Sequence, residues 1–217
     1  MPPSSTFGAE SLDDIVEGLS ASDARFALDA AEQLKARLKP SRFEHSISVC
    51  RMARSMARIY GIDVVEATFA GLLHDWDKCF TGEELLEHAR SLGIVLTAED
   101  EKAEETLHAI TAAKSLASTF PNLGESVLQA ISKHTTAAVE MSELDMLIFC
   151  ADMLEPKREY GGLNPLRKMI GDVPLEELFS NCFRKTVKHL VERRRFIHPM
   201  ATSVWNAWVA QDRDRQG

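Results

Sequence analysis

The sequence lacks what a membrane protein needs: no apolar run in its 217 residues approaches the roughly 18 of a membrane span, so the chain is not expected to cross one. It has no surplus of positive charge, since 25 Lys and Arg against 33 Asp and Glu leave a formal net charge of −8. Neutralising a nucleic-acid backbone requires such a surplus, which argues against nucleic acid as the main partner. A small phosphorylated ligand, needing only a few local cations, stays open. Residues 1–24 contain no Lys or Arg but do contain Asp13, Asp14 and Glu17, so the basic and apolar parts of a secretory signal are missing and a cytoplasmic location is expected. Cys50, Cys79, Cys150 and Cys182 lie far apart with no CxxC pair, which excludes a dense disulfide framework and reads as reduced, mostly buried thiols. Strand signals are nearly absent: β-branched residues do not alternate, and neither Asn-Gly nor Asp-Gly occurs.

What is present is a succession of helical segments with stops. At about 150 residues per domain the length fits one domain, or one with a modest extension, and is ample for a hydrophobic core. Ser41 to Glu44 has the capping-box form after Pro40 and opens a segment with Ile47, Val49, Cys50, Met52, Ala53, Met56 and Ala57 at helical spacing, predicting a helix over 41–60 that ends before Gly61. A helix over 22–39 is expected to bury Leu28, Ala31, Leu34 and Leu38. The same reasoning predicts helices after Asp63 and over 81–92, 97–118, 123–133, 142–153, 164–170 and 175–195, with a last one after Pro199. The fold is therefore expected to be all-α, a bundle of about 8–10 helices, with residues 1–20 as a flexible N-terminal tail carrying at most a weak helix at its end.

Seven histidines are present, and their contexts differ. His88, in an acidic amphipathic stretch, and His189, beside Glu192-Arg193-Arg194-Arg195, read as solvated face residues. His74-Asp75 is different: it follows the apolar segment Ala67 to Leu73, where an unpaired charge costs several kcal/mol, so a metal ion or a dedicated cation is called for. His45, His108, His134 and Asp152 are likewise placed in, or at the end of, apolar helices. Four imidazoles and two carboxylates suffice for two metals sharing a carboxylate, with positions left for water and substrate. Such ligands suit iron, manganese, cobalt or zinc, and the lack of a usable Cys pair argues against a structural zinc.

The ordered set of these motifs resembles the HD-domain metal-dependent phosphohydrolases, and within them the symmetrical bis(5′-nucleosyl)-tetraphosphatases. It consists of Arg42 to His45, His74-Asp75-Trp76-Asp77-Lys78, His108-Ala109, Ala130 to Thr136, Met141-Ser142, Ala151 to Arg158, and Ile197-His198-Pro199 followed by Asn206. It covers roughly residues 25–210, so a single HD phosphohydrolase domain over 21–213 is expected. The resemblance implies two divalent ions, iron first, held by His45, His74, Asp75, His108, His134 and Asp152, with Asp75 as bridge and catalytic residue. It implies cleavage of diadenosine tetraphosphate into two ADP by a hydroxide that the two metals activate. Lys78, about one turn past the doublet, is placed to reach a phosphate and is a candidate catalytic and substrate-binding residue. Arg158, Arg42, Thr135 and Thr136 are further substrate-binding candidates, against the plainer readings of surface ion pairs and caps. His198 is read as packing or pocket wall, and Trp205 and Trp208 as core. The sequence does not fix the oligomeric state, and a homodimer is kept as the candidate protein partner.

Two departures from the family pattern bear on substrate. Ala137-Ala138-Val139-Glu140 follows His-Thr-Thr where relatives carry a Gly and polar residues, which restricts the backbone near the pocket. Asp77 stands where a small or apolar residue is usual and is expected to add negative charge near a polyphosphate. They keep two alternatives open: an HD phosphohydrolase acting on another nucleotide, and a nucleotide-sensing module with little turnover.

Overall fold

The computed structural model describes residues 12–158 and 161–216, with side chains described as far as residue 210. Among these residues there are twelve α-helices and no strand, as expected of an all-α chain. Three of the helices have five residues or fewer, which accounts for the excess over the expected 8–10. No described helix is long and apolar enough to cross a membrane.

α1 (Asp13–Val16) falls within the expected tail, yet Ile15 is fully buried and Asp14 pairs with Arg51, so residues 12–20 are packed on the bundle; residues 1–11 lie outside the described ones. α2 (Ala21–Arg37) buries Ala27, Ala30, Ala31 and Leu34, whereas Leu28, expected on that stripe, faces solvent. Small alanines let α2 lie close to its neighbours, and the buried stripe is turned away from Leu28 by that contact.

α3 (Pro40–Tyr60) starts one residue before the expected range 41–60, and its cap lies two residues before Ser41. Lys39 is the N-cap without a side-chain cap, and Pro40 takes the first helical position, so Ser41 lies inside the helix. The fixed φ of proline and its missing N–H suit that position better than a serine cap one residue on. α4 (Val64–Leu73) is capped by Asp63, whose side chain accepts from the amides of Val65 and Glu66. It packs mainly on α3, and Gly71 is why it can: a Cβ there would lie 3.0 Å from both Ala53 Cβ and Cys50 Cα. The close approach brings the end of α4 beside α3.

The expected helix over 97–118 is broken. α6 (Ala98–Lys102) opens on a Thr97/Asp100 capping box, a 3₁₀ turn spans Glu104–Thr106, and α7 (His108–Thr119) begins afresh, while α5 (Glu83–Ser91) precedes them. α8 (Glu125–Lys133) and α9 (Glu143–Leu154, capped by Ser142 and Asp145) complete the centre of the bundle with α3 and α4. α10 (Asn164–Lys168) is short, and α11 (Leu175–Glu192) covers α9 with Leu178, Phe179, Cys182 and Phe183. α12 (Pro199–Gln216) closes the bundle, with Trp208 edge-on to Phe179 as expected of core, whereas Trp205, also expected as core, is exposed.

Candidate metal centre

The bundle brings all six expected ligands to one place. His45 projects from α3, His74 and Asp75 follow α4, His108 opens α7, His134 follows α8, and Asp152 lies in the last turn of α9. The broken helix matters here, because restarting the chain at His108 leaves the Glu105 carbonyl without a helical partner and available to that imidazole.

Three of the imidazoles are fixed in the same way. Nδ1–H donates to the carbonyl three residues earlier: His74 to Gly71 at 2.9 Å, His108 to Glu105 at 2.7 Å, His134 to Ile131 at 2.7 Å. His45 instead turns Nδ1 to Glu155 Oε1 at 3.3 Å. Glu155 is itself held by the Ser48 hydroxyl at 2.6 Å and the Lys157 amide at 2.7 Å. A histidine whose Nδ1 carries the proton offers its Nε2 lone pair, and outer partners of this kind are what orient metal-binding imidazoles.

The Nε2 atoms converge on the two carboxylates. One oxygen of Asp75, Oδ2, faces His45 at 3.9 Å and His74 at 3.7 Å, while Oδ1 faces His108 at 3.1 Å and His134 at 3.9 Å. Asp152 Oδ1 lies 2.9 Å from His45 Nε2 and 3.6 Å from His74 Nε2. Two triads, His45/His74/Asp152 and His74/Asp75/His134, each have ligand atoms within 4.8 Å of one another, close enough for one cation. The donor chemistry demands one. Nε2 of His108 and His134 are 3.1 Å apart, both as lone pairs once Nδ1 is protonated, and the buried Nε2 of His74 has no hydrogen-bond partner among the described residues. Facing lone pairs and an orphaned buried nitrogen are costly without a cation between them.

Electrostatics point the same way. Burial works to raise the Asp75 carboxyl, but His74 and His108, when protonated, overcome it and hold Asp75 well below the usual carboxylate range. Asp152 behaves alike, with Arg158, His45 and His74 overcoming burial. For His134 burial dominates, aided by the charges of His74 and His108, and its pKa falls to about 3, leaving a neutral imidazole ready to ligate.

A cavity of about 330 Å³ opens above the cluster, lined among others by Arg42, Lys78, Thr135, Arg158, Lys185 and His189. Arg42 approaches Asp75 Oδ2 at 3.6 Å and Arg158 pairs with Asp152 Oδ1. Arg167 fixes the loop that carries Arg158 by donating to the carbonyls of Leu154, Glu155 and Arg158. Lys78 Nζ donates to the Glu105 carbonyl at 3.4 Å and lies 3.0 Å from His108 Nδ1; burial lowers its pKa. Thr135 lines the cavity, its hydroxyl donating to Thr106, but Thr136 does not line it and donates to the Ala137 carbonyl. The missing glycine is felt as expected: Ala137 is buried in the left-handed region at φ 57°.

Three readings of the sequence need correction. Asp77 adds no charge to the cavity: it is fully buried and bonded to Arg37 at 2.9 Å, His88 at 2.9 Å and Ser115 at 2.8 Å. A cation on α2 and two donors on α5 and α7 neutralise it. His88 is accordingly not a solvated face residue, for it stacks on Phe80 and holds Asp77. His189 is exposed but lines the cavity, with Lys185 and Thr186, because α11 runs past the cluster. Nothing local in the sequence places α11 there. Glu155, in the matching stretch Ala151 to Arg158, is a further functional residue, since it orients His45. His198 packs as expected, bonding Asp100 at 3.0 Å.

Comparison with known proteins decides the family. Residues 42–157 match the HD-domain family model. The chain belongs to the HD-domain family. A relative from Halalkalibacterium halodurans, named symmetrical bis(5′-nucleosyl)-tetraphosphatase, is 28% identical over 186 residues, 85% of this chain and 97% of its own. One of the same name from Staphylococcus aureus is 30% identical over 170 residues, covering 76% and 86%. Among solved structures, an HD superfamily hydrolase from Clostridium acetobutylicum described as involved in NAD metabolism superposes with a TM-score of 0.79 at 31% identity, over 84% of this chain and 96% of that one. The resemblance read from the motifs is borne out, and this HD-domain protein is a metal-dependent phosphohydrolase by fold, family and donor set.

Proposed function

We propose that the protein hydrolyses diadenosine tetraphosphate symmetrically, yielding two ADP, at two divalent cations held by His45, His74, Asp75, His108, His134 and Asp152. The observation that carries this is Asp75, whose two oxygens each face a different pair of imidazoles, the arrangement of a carboxylate shared between two ions. Iron is the first choice of metal, with manganese, cobalt and zinc accepted by the same ligands. The cations supply an acidified water and neutralise charge developing on phosphoryl oxygens.

The chain's own residues do the rest. Arg42, Arg158 and Lys78 surround the cluster with positive charge and are placed to exchange their present carboxylate and carbonyl partners for phosphate oxygens. Lys78 serves best, because burial favours its release of a proton, which lets it supply one to the departing phosphate oxygen. Water adds at one of the two central phosphorus atoms, the central P–O–P bridge breaks, and each half leaves as a nucleoside diphosphate. Thr135 offers a hydroxyl to the same oxygens. The names of the relatives support the substrate, and the net charge of −8 fits a small anionic ligand held by local cations.

Product analysis tests the proposal. Protein supplied anaerobically with ferrous iron, or with manganese, is incubated with diadenosine tetraphosphate and the nucleotides are separated. ADP alone is expected. ATP plus AMP contradicts the symmetrical register, and no turnover with either metal contradicts the substrate.

A further inference from the structure

The cavity has a cation that the cluster does not use. Three of its cations already face acceptors: Arg42 faces Asp75, Arg158 pairs with Asp152, and Lys78 donates to Glu105. Lys185, on the α11 wall, has no hydrogen bond or ion pair among the described residues, although it lines the same cavity. Its neighbour Thr186 is engaged, donating to the Cys182 carbonyl at 3.2 Å. The loop before α10 makes room for the ammonium. Gly162 sits at φ 86°, and a Cβ there would come within 2.6 Å of Lys185 Nζ. Any side chain at that position would displace the charge. A half-buried ammonium lodged at a cavity wall with no partner among the described residues is a site for an anion that arrives with the ligand.

We propose that Lys185 binds the phosphates of the substrate half that lies away from the metal cluster, and so sets a preference for the length of the phosphate chain. This rests on the dinucleoside polyphosphate reading above. Arg42, Lys78 and Arg158 belong to α3, the turn after α4 and the loop after α9, all beside the ligands. Lys185 comes from α11, which contributes no ligand, so its charge serves the part of a long polyanion that the cluster leaves uncovered. A tetraphosphate reaches both sets of cations, and a triphosphate engages Lys185 less fully.

The test is a chain-length series. KM and kcat are measured for diadenosine tri-, tetra- and pentaphosphate with manganese-loaded wild type, Lys185→Met and Lys185→Arg. Loss of one charge-assisted contact is expected to raise KM for the tetraphosphate about tenfold in Lys185→Met, with a smaller rise for the triphosphate, kcat nearly constant, and most of the loss restored in Lys185→Arg. An unchanged KM, an equal rise at all three lengths, or a fall in kcat that accounts for the loss overturns the assignment. If wild type cleaves none of the three, the functional reading fails on its own. Inorganic tripolyphosphate titrated into the manganese-loaded proteins then decides for Lys185: binding about tenfold weaker in Lys185→Met supports it, and equal binding overturns it.

Discussion

Four imidazoles do the same job here by two routes. His74, His108 and His134 each use a backbone carbonyl three residues back, so their orientation is part of the local helix geometry. His45 has no such carbonyl and depends on Glu155, a side chain from the end of α9. Two variants separate direct from indirect contributions. Asp75→Ala is expected to remove bound metal and activity together, by at least about a hundredfold in turnover. Glu155→Gln is expected to weaken metal binding about 10- to 100-fold while activity returns at high metal concentration. Metal content after dialysis and activity against metal concentration check both; full metal content in Asp75→Ala contradicts the assignment.

His134 also gives a pH dependence. Its pKa in the folded protein falls to about 3 from the ordinary 6.5, so between those values the unfolded chain binds a proton that the folded one refuses. Stability is therefore lost as pH falls below about 6.5, with a slope of up to about 1.4 kcal/mol per pH unit from this group. Asp75 and Asp152, held low, add their losses only below about pH 4. His74, raised in the folded state, acts in the opposite sense near pH 6.5. Melting temperature of the metal-depleted protein between pH 6.5 and 4.5 is expected to fall more steeply in wild type than in His134→Gln; parallel curves contradict this.

Among the elements, the contact of α3 with α4 positions the site, since His45 lies on one and His74 and Asp75 follow the other. Gly71 sets their separation. Gly71→Ala forces a methyl to within 3.0 Å of Ala53 and Cys50, backbone included for the latter, and is expected to destabilise by about 1–3 kcal/mol. The urea midpoint measures that, and metal affinity should fall with it, because widening the gap separates His45 from Asp75. The sequence announced both helices and their candidate ligands, but nothing in it signals this spacing. It also hid the break before α7: residues 97–118 carry helical periodicity throughout, and only packing shows that the chain restarts at His108. The cap at Asp63 was readable, because its side chain does the capping, whereas Ser41 was misread, since Pro40 starts that helix instead.

For the molecule as a whole, the candidate ligands were readable because each is a polar residue set in an apolar segment, a local anomaly in the sequence pattern. What surrounds them was not. Asp77 looked like a charge aimed at the substrate and is buried among Arg37, His88 and Ser115, partners far away in sequence. His189 looked like surface, yet it lines the cavity beside Lys185, because α11 packs over α9. Long-range placement of this kind follows from the fold, and no window of sequence contains it.

If Asp75 spans two cations, anomalous diffraction from crystals loaded with manganese will show both. Two peaks about 3.5–4 Å apart are expected on either side of the Asp75 carboxylate, one near His45 and Asp152, the other near His108 and His134. A single peak, or a pair of peaks not bridged by Asp75, contradicts it.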